Sequence, residues 1–154
     1  MGYLKAGDVI SGQMGVAFLT INGKNEEMFY LKDLEAVVDK EKTAIRVMGK
    51  KGDQQKTTGA SGTGSMTIYA VTSIFAKMAE DLLKHGKDTY FQIKTTNDDP
   101  DSTIGRQSIL LKNVNLDSLP VVNLDVDAEA LEQSMDFTYD DLDVLEQCKK
   151  PVLG

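Results

Sequence analysis

Tryptophan is absent from this sequence, and cysteine and histidine occur once each, as Cys148 and His85. A single cysteine excludes an intrachain disulfide and fits folding in a reducing compartment. With one histidine, any Ser–His–Asp or Cys–His centre would depend wholly on His85, and no nucleophile-elbow motif accompanies it. No stretch approaches the roughly 18 apolar residues of a membrane span. Met1 to Met14 has no signal-peptide core. Myristoylation would want Ser or Thr where Ala6 stands. A final location outside the cell would therefore follow from lysis or from assembly into a larger particle.

Positive charge is also in short supply. The 154 residues carry a formal net charge of -7, and tight phosphate binding needs clustered Lys and Arg. That charge leaves open a role in which nucleic acid passes by without sticking. Prolines number three against 13 glycines, which suits strands joined by turns. The length fits one domain, residues 1–154, with a core of its own.

Alternation and turn signals set out the elements. Val16 to Ile21 reads as a strand, and Asn22-Gly23 is the strongest two-residue hairpin signal. Glu26 to Lys42 alternates over an unusual length and is expected to be one long strand, with a helix as the second choice. Met28, Tyr30, Leu34, Ala36 and Val38 share a face that Lys32 interrupts, while Asp33, Glu35, Asp39 and Glu41 share the other. Residues 49–64, GKKGDQQKTTGASGTG, hold five glycines and three lysines. They are expected to form an extended loop or an exposed hairpin. Ser65 to Val71, Thr89 to Thr96, Gly105 to Leu116 and Val121 to Val126 read as strands, with a bulge or twist near Leu110-Leu111. Asp127 to Ala130 could form a single helical turn.

One helix is expected over Ser73 to His85. Phe75, Met78, Ala79 and Leu82 form its buried stripe, with Thr72 or Ser73 as cap and Gly86 at its end. Glu132 to Asp141 alternates cleanly, with Met135, Phe137 and Tyr139 against Glu132, Ser134, Asp136, Thr138 and Asp140. Residues 1–15 form an N-terminal arm and 143–154 a C-terminal tail. The class is mainly β, a barrel or sandwich around one helix.

Motifs for chemistry fail on inspection. A P-loop needs glycine directly before Lys56, where Gln55 stands, and Thr67 takes the place of the third glycine in a dinucleotide fingerprint. Asp125, Asp127 and Glu129 have calcium-loop spacing, but Ala130 replaces the required glycine and Asp136 the twelfth-position glutamate. Carboxylate pairs for glycoside hydrolysis remain open among 24 acids, without the tryptophans of a sugar cleft. The residues therefore imply no catalytic centre, metal or cofactor.

Five segments in order resemble the XkdM-like tail tube proteins of the PBSX prophage and related myophages. They are GYLKAGDVISGQ at 2–13, INGKNEEMFYLKDLEA at 21–36, TGASGTGSMTIYAVTS at 58–73, GKDTYFQIKTTNDDPDSTIGRQSILLKNVNLDS at 86–118 and LDVDAEALEQSMDFTYDD at 124–141. The resemblance implies a tail tube fold, two packed antiparallel sheets forming a sandwich or barrel flanked by one helix. It implies a non-enzymatic, structural protein whose hexameric rings stack into the hollow inner tube of a contractile tail or phage-tail-like bacteriocin.

Partners implied are other copies of the chain, tail sheath, baseplate and tail terminator proteins. A tape-measure protein and DNA would pass through the lumen without tight binding. Its place would be a virion tail or tail-like particle assembled in the bacterial host cytoplasm, without a membrane anchor. On this reading Asp33, Glu35, Asp39, Glu41, Glu132, Asp136 and Asp140 are lumen-facing candidates. Lys50, Lys51, Asp53 and Lys56 are inter-ring candidates. The tube of a related contractile injection or secretion system and a small-molecule-binding β-barrel are the alternatives. The barrel would require an enclosed apolar pocket.

Overall fold

A computed structural model of the chain describes residues 2, 5–6, 15–28, 30–98, 105–127, 129–147 and 150. Expectations for the N-terminal arm up to residue 14 and for the tail from Cys148 on fall almost wholly outside them. Eight strands and one helix are seen among these residues: β1 (Gly15–Ile21), β2 (Lys24–Glu27), β3 (Leu31–Ile45), β4 (Gln54–Tyr69), α1 (Ile74–His85), β5 (Phe91–Asp98), β6 (Arg106–Leu116), β7 (Glu132–Tyr139) and β8 (Asp141–Glu146).

Antiparallel pairing runs β2-β1-β5-β6-β7-β4-β3, with β8 also on β6. β6 belongs to both halves of this path. Ser108 to Lys112 pairs with β8, and Asn115 and Leu116 pair with β7. Between them Asn113 takes a left-handed φ of 53°, and the β5 register slips between Phe91 and Ile93. The expected irregularity near Leu110-Leu111 is thus a bulge centred slightly later, and it turns β6 from one half into the other. β7 and β8 do the same around Asp140, whose N–H donates to the Lys112 carbonyl at 3.2 Å. Residues 143–146 are strand, not tail.

Inner faces of both halves meet in one hydrophobic cluster. Leu19, Ile93, Leu111 and Val114 come from the first half, and Met66, Ile68, Met135 and Phe137 from the second. α1 closes the cluster with Phe75 and Met78, while Leu82, expected in its stripe, is 41% exposed. Ser73 makes no side-chain cap; the Ile74 N–H reaches Thr72 Oγ1 at 3.4 Å. Gly86 ends the helix at φ 65°, its N–H on the Leu82 carbonyl. The Asn22-Gly23 turn has both residues at positive φ, 51° and 82°, the geometry that matches hairpin twist.

The single strand expected over 26–42 is two strands. After β2 the chain turns inward so that Met28 and Tyr30 enter the core, at 3% and 2% exposure. β3 then begins with a bulge between Leu31 and Asp33. The extra residue is Lys32, so Lys32 and Asp33 both face the polar side and Leu34 returns to the core side. That is how a lysine interrupts the apolar row without being buried.

Tyr30 gives a pH signature. Burial, with the Glu26 carboxylate adding to it, pushes its phenol from 10.0 up to about 12. Below pH 10 the phenol is neutral in both folded and unfolded chains and stability is unaffected. Between pH 10 and 12 the unfolded chain ionises first, so stability falls by on the order of 2 kcal/mol. Urea unfolding across this range is expected to show the loss in the wild type and a clearly smaller one in Tyr30→Phe.

Candidate functional site: the acidic face and the projecting hairpin

β3 and β4 form a hairpin of 15 and 16 residues, far longer than the core beneath it. The cluster takes Leu34, Met66 and Ile68 from its base and nothing from residues 35–65. Val37 and Val38 are 43% and 49% exposed although they face opposite ways. Both faces of the outer hairpin are therefore open, and β3 has a partner on one side only.

Residues 54–64 are thus strand: of the two forms expected over 49–64 the exposed hairpin is the one found, and the loop shrinks to a tip between Ile45 and Gln54. The glycines that made this stretch look mobile are packing devices. An added Cβ on Gly62 would lie 2.5 Å from the Tyr139 ring, and one on Gly64 would press on the Phe137 ring and lie 2.6 Å from the Glu35 carbonyl oxygen. The rings of β7 lie across the glycine gaps of β4. Tyr139 spans β4 entirely, its hydroxyl donating to the Val37 carbonyl of β3 at 2.7 Å. Burial first, and Asp39 second, raise its pKa.

The register places the two acidic rows together. Glu35 pairs with Ser65, and Ser65 with Asp136. Asp33 pairs with Thr67, and Thr67 with Ser134; Asp39 and Glu41 stand opposite Ser61 and Gly59. Direct partners share a face, so Asp33, Glu35, Asp39, Glu41, Glu132 and Asp136 lie on one face of β3, β4 and β7. All are exposed. Asp140 is exposed too, but it sits at the corner past the end of β7 rather than in the row.

Small hydroxyls fill the space between the acids. Thr63 Oγ1 donates to Asp39 at 3.0 Å, and Thr67 and Ser134 hydroxyls are 3.1 Å apart. Among the described residues Glu132 is the one acid of the row with a cation, Lys32 at 2.9 Å. The hydrogen bond and charge of Glu132 raise the Lys32 pKa. Carboxylates two residues apart along a strand are about 7 Å apart, within a Debye length at physiological salt. Their fields merge into one negative surface.

The tip has the opposite sign. Arg46, Lys50 and Lys51 lie in it, with Lys56 on the first turn of β4. Asp53, grouped with these lysines from sequence, faces Arg46 across the tip at 3.6 Å.

Catalytic alternatives gain no geometry. Among the described residues no three His, Cys, Asp or Glu side chains gather as a metal would need, and no helix is long and apolar enough to cross a membrane. His85 stands in the last turn of α1 beside Lys84. A cleft under α1, lined by Met78, Phe91 and Leu116, holds about 10 Å³, less than a water needs with certainty. A groove of about 370 Å³ beside α1 is open and lined by polar Asn22, Lys77, Asp81 and Lys87 as well as Ile21 and Ile74.

A small two-layer β-protomer with a projecting, two-faced hairpin and an open edge is built as an assembly subunit. The model of the family described as "Phage tail tube protein" matches residues 2–146. The chain is 44% identical to the phage-like element PBSX protein XkdM of Bacillus subtilis (strain 168), over 94% of this chain and 95% of that protein. It superposes with a TM-score of 0.65 on a chain of the sheath-tube complex of an extracellular contractile injection system, at 8% identity, covering 89% of this chain and 93% of that one. For the SPP1 tail tube the TM-score is 0.61, at 14% identity, covering 87% and 77%. The chain belongs to the phage tail tube protein family. It is a structural tail component and not an enzyme.

Proposed function

We propose that copies of this chain form hexameric rings that stack into the hollow inner tube of a contractile phage tail or tail-like particle, with the acidic face of β3, β4 and β7 lining the bore. One observation carries the reading: both acidic rows converge on one face of a sheet whose hairpin projects past its own core. An unpaired edge of that length is a liability in a monomer. Rotational assembly removes it by pairing each edge with a neighbour and closing the sheet into a barrel.

The bore would then present carboxylates and small hydroxyls, a surface that repels phosphate and lets DNA slide. The tape-measure protein would fill the same channel before ejection. Sheath, baseplate and terminator proteins would contact the outside and ends, and assembly would take place in the host cytoplasm.

Negative-stain microscopy of the purified protein or of particle lysates is expected to show hollow tubes of uniform width with sixfold end views. Glu35→Lys, Asp39→Lys and Asp136→Lys combined should leave tubes intact and slow DNA ejection by at least tenfold. Ejection at the wild-type rate would refute the sliding role, and the lack of tubes from wild-type protein would refute the assembly.

A further inference from the structure

Between Leu116 and Glu132 the chain runs without regular structure for most of its length, as a strap beside β7. It is tied near its start and at its middle. Leu119 packs on the core, the Asp117 N–H donates to the Asp136 carbonyl at 2.9 Å, and Asn123 Nδ2 donates to the Glu132 carbonyl at 2.9 Å. Around the Asn123 tie the sequence alternates as a strand does, Val122, Leu124 and Val126 against Asn123, Asp125 and Asp127. The strand expected there does not form and has no partner strand among the described residues. Val122, Leu124 and Val126 are 75%, 87% and 100% exposed, Val126 at a turn where the Asp127 N–H donates to Asp125 Oδ1 at 3.0 Å; exposed apolar side chains so closely spaced mark a contact surface.

The hairpin tip is its chemical complement. Ile45, Val47 and Met48 are 40%, 43% and 100% exposed, with Arg46 between them and Lys50 and Lys51 just beyond. The strap interleaves its apolar row with Asp125, Asp127 and Glu129. No ion pair among the described residues engages Lys50, Lys51, Asp125, Asp127 or Glu129. One surface is apolar and basic, the other apolar and acidic, and among the described residues neither is covered by an opposite charge beyond the Arg46–Asp53 pair.

We infer that the strap at 121–127, with Glu129, is the seat for the hairpin tip of a second copy of this chain. The contact is heterologous: each copy offers a tip and a strap to different neighbours, the arrangement that propagates rings or filaments. Apolar rows supply the adhesion, and the charges fix orientation and exclude tip-to-tip and strap-to-strap pairing. The inference rests on the tube reading and adds to it the receiving surface.

Charge reversal tests it. Lys50→Glu with Lys51→Glu, and separately Asp125→Lys with Asp127→Lys, are each expected to cut tube yield at least tenfold, by sedimentation and negative stain. Thermal unfolding should stay that of the wild type. Combining the four substitutions is expected to restore tubes. Wild-type yield from either pair alone, or no recovery in the combination, overturns the contact and leaves the tube reading standing. Absence of tubes from the wild type sinks that reading instead. In a Cys148→Ser background, Met48→Cys with Val126→Cys should give oxidised ladders only in assembled protein; assembled tubes that never cross-link count against the seat.

Discussion

Replacing Gly64 with valine is expected to cost about 3 kcal/mol and to lower the melting temperature by roughly 10 °C for a domain of this size. The first new carbon would meet the Phe137 ring and, at 2.6 Å, the backbone carbonyl of Glu35. A ring can tilt, but a carbonyl in the β3–β4 ladder cannot retreat without breaking pairing. Phe137 is 1% exposed and sits in the centre of the core, so tilting it opens a void elsewhere. Gly59→Ala is the control. Its new carbon meets only the end of the Glu41 side chain, at 3.1 Å, which can swing into solvent, so the change should stay within about 1 kcal/mol. Urea unfolding of the two variants checks the contrast, and equal losses would mean the glycines are not cut to the rings above them.

Shortening the hairpin should separate folding from assembly. Val38 pairs with Gly62, so residues 39–61 can be replaced by an Asn-Gly turn that closes the remaining strands. None of the removed residues belongs to the hydrophobic cluster. The shortened chain is expected to unfold cooperatively within a few degrees of the wild type and to form no tubes at any concentration where the wild type does. Tubes of ordinary width from it would show that the outer hairpin is dispensable. Collapse of the fold would show that the core reaches further out along the hairpin than burial indicates.

Much of this architecture is written in local patterns. The Asn22-Gly23 turn, the helix with its Phe75, Met78 and Ala79 stripe, and the alternation of β7 follow from spacing, because each is decided by residues within a few positions of one another. Misreadings fall where distant residues decide. Gly62 and Gly64 read as loop until Phe137 and Tyr139, some 75 positions on, are laid over them. Val121 to Val126 has the alternation of a strand, but alternation marks a two-sided segment and cannot supply the partner strand.

The acidic surface was half legible. Alternation puts Asp33, Glu35, Asp39 and Glu41 on one side of their strand, and Glu132 and Asp136 on one side of theirs. Only the register through Ser65 and Thr67 shows that the two sides are the same. Lys32 carries a local clue: a charge in an apolar row marks the bulge that lets it reach Glu132.

β6 pairs in both layers, and β7 runs into β8 across the same corner. Covalent backbone, and not side-chain contact alone, therefore ties one layer to the other at two adjacent places. In the tube proposed above, axial thrust on one layer would pass to the other along these bent chains. Sliding the layers apart would require straightening two strands at once, so the corner acts as a mechanical rivet in each subunit.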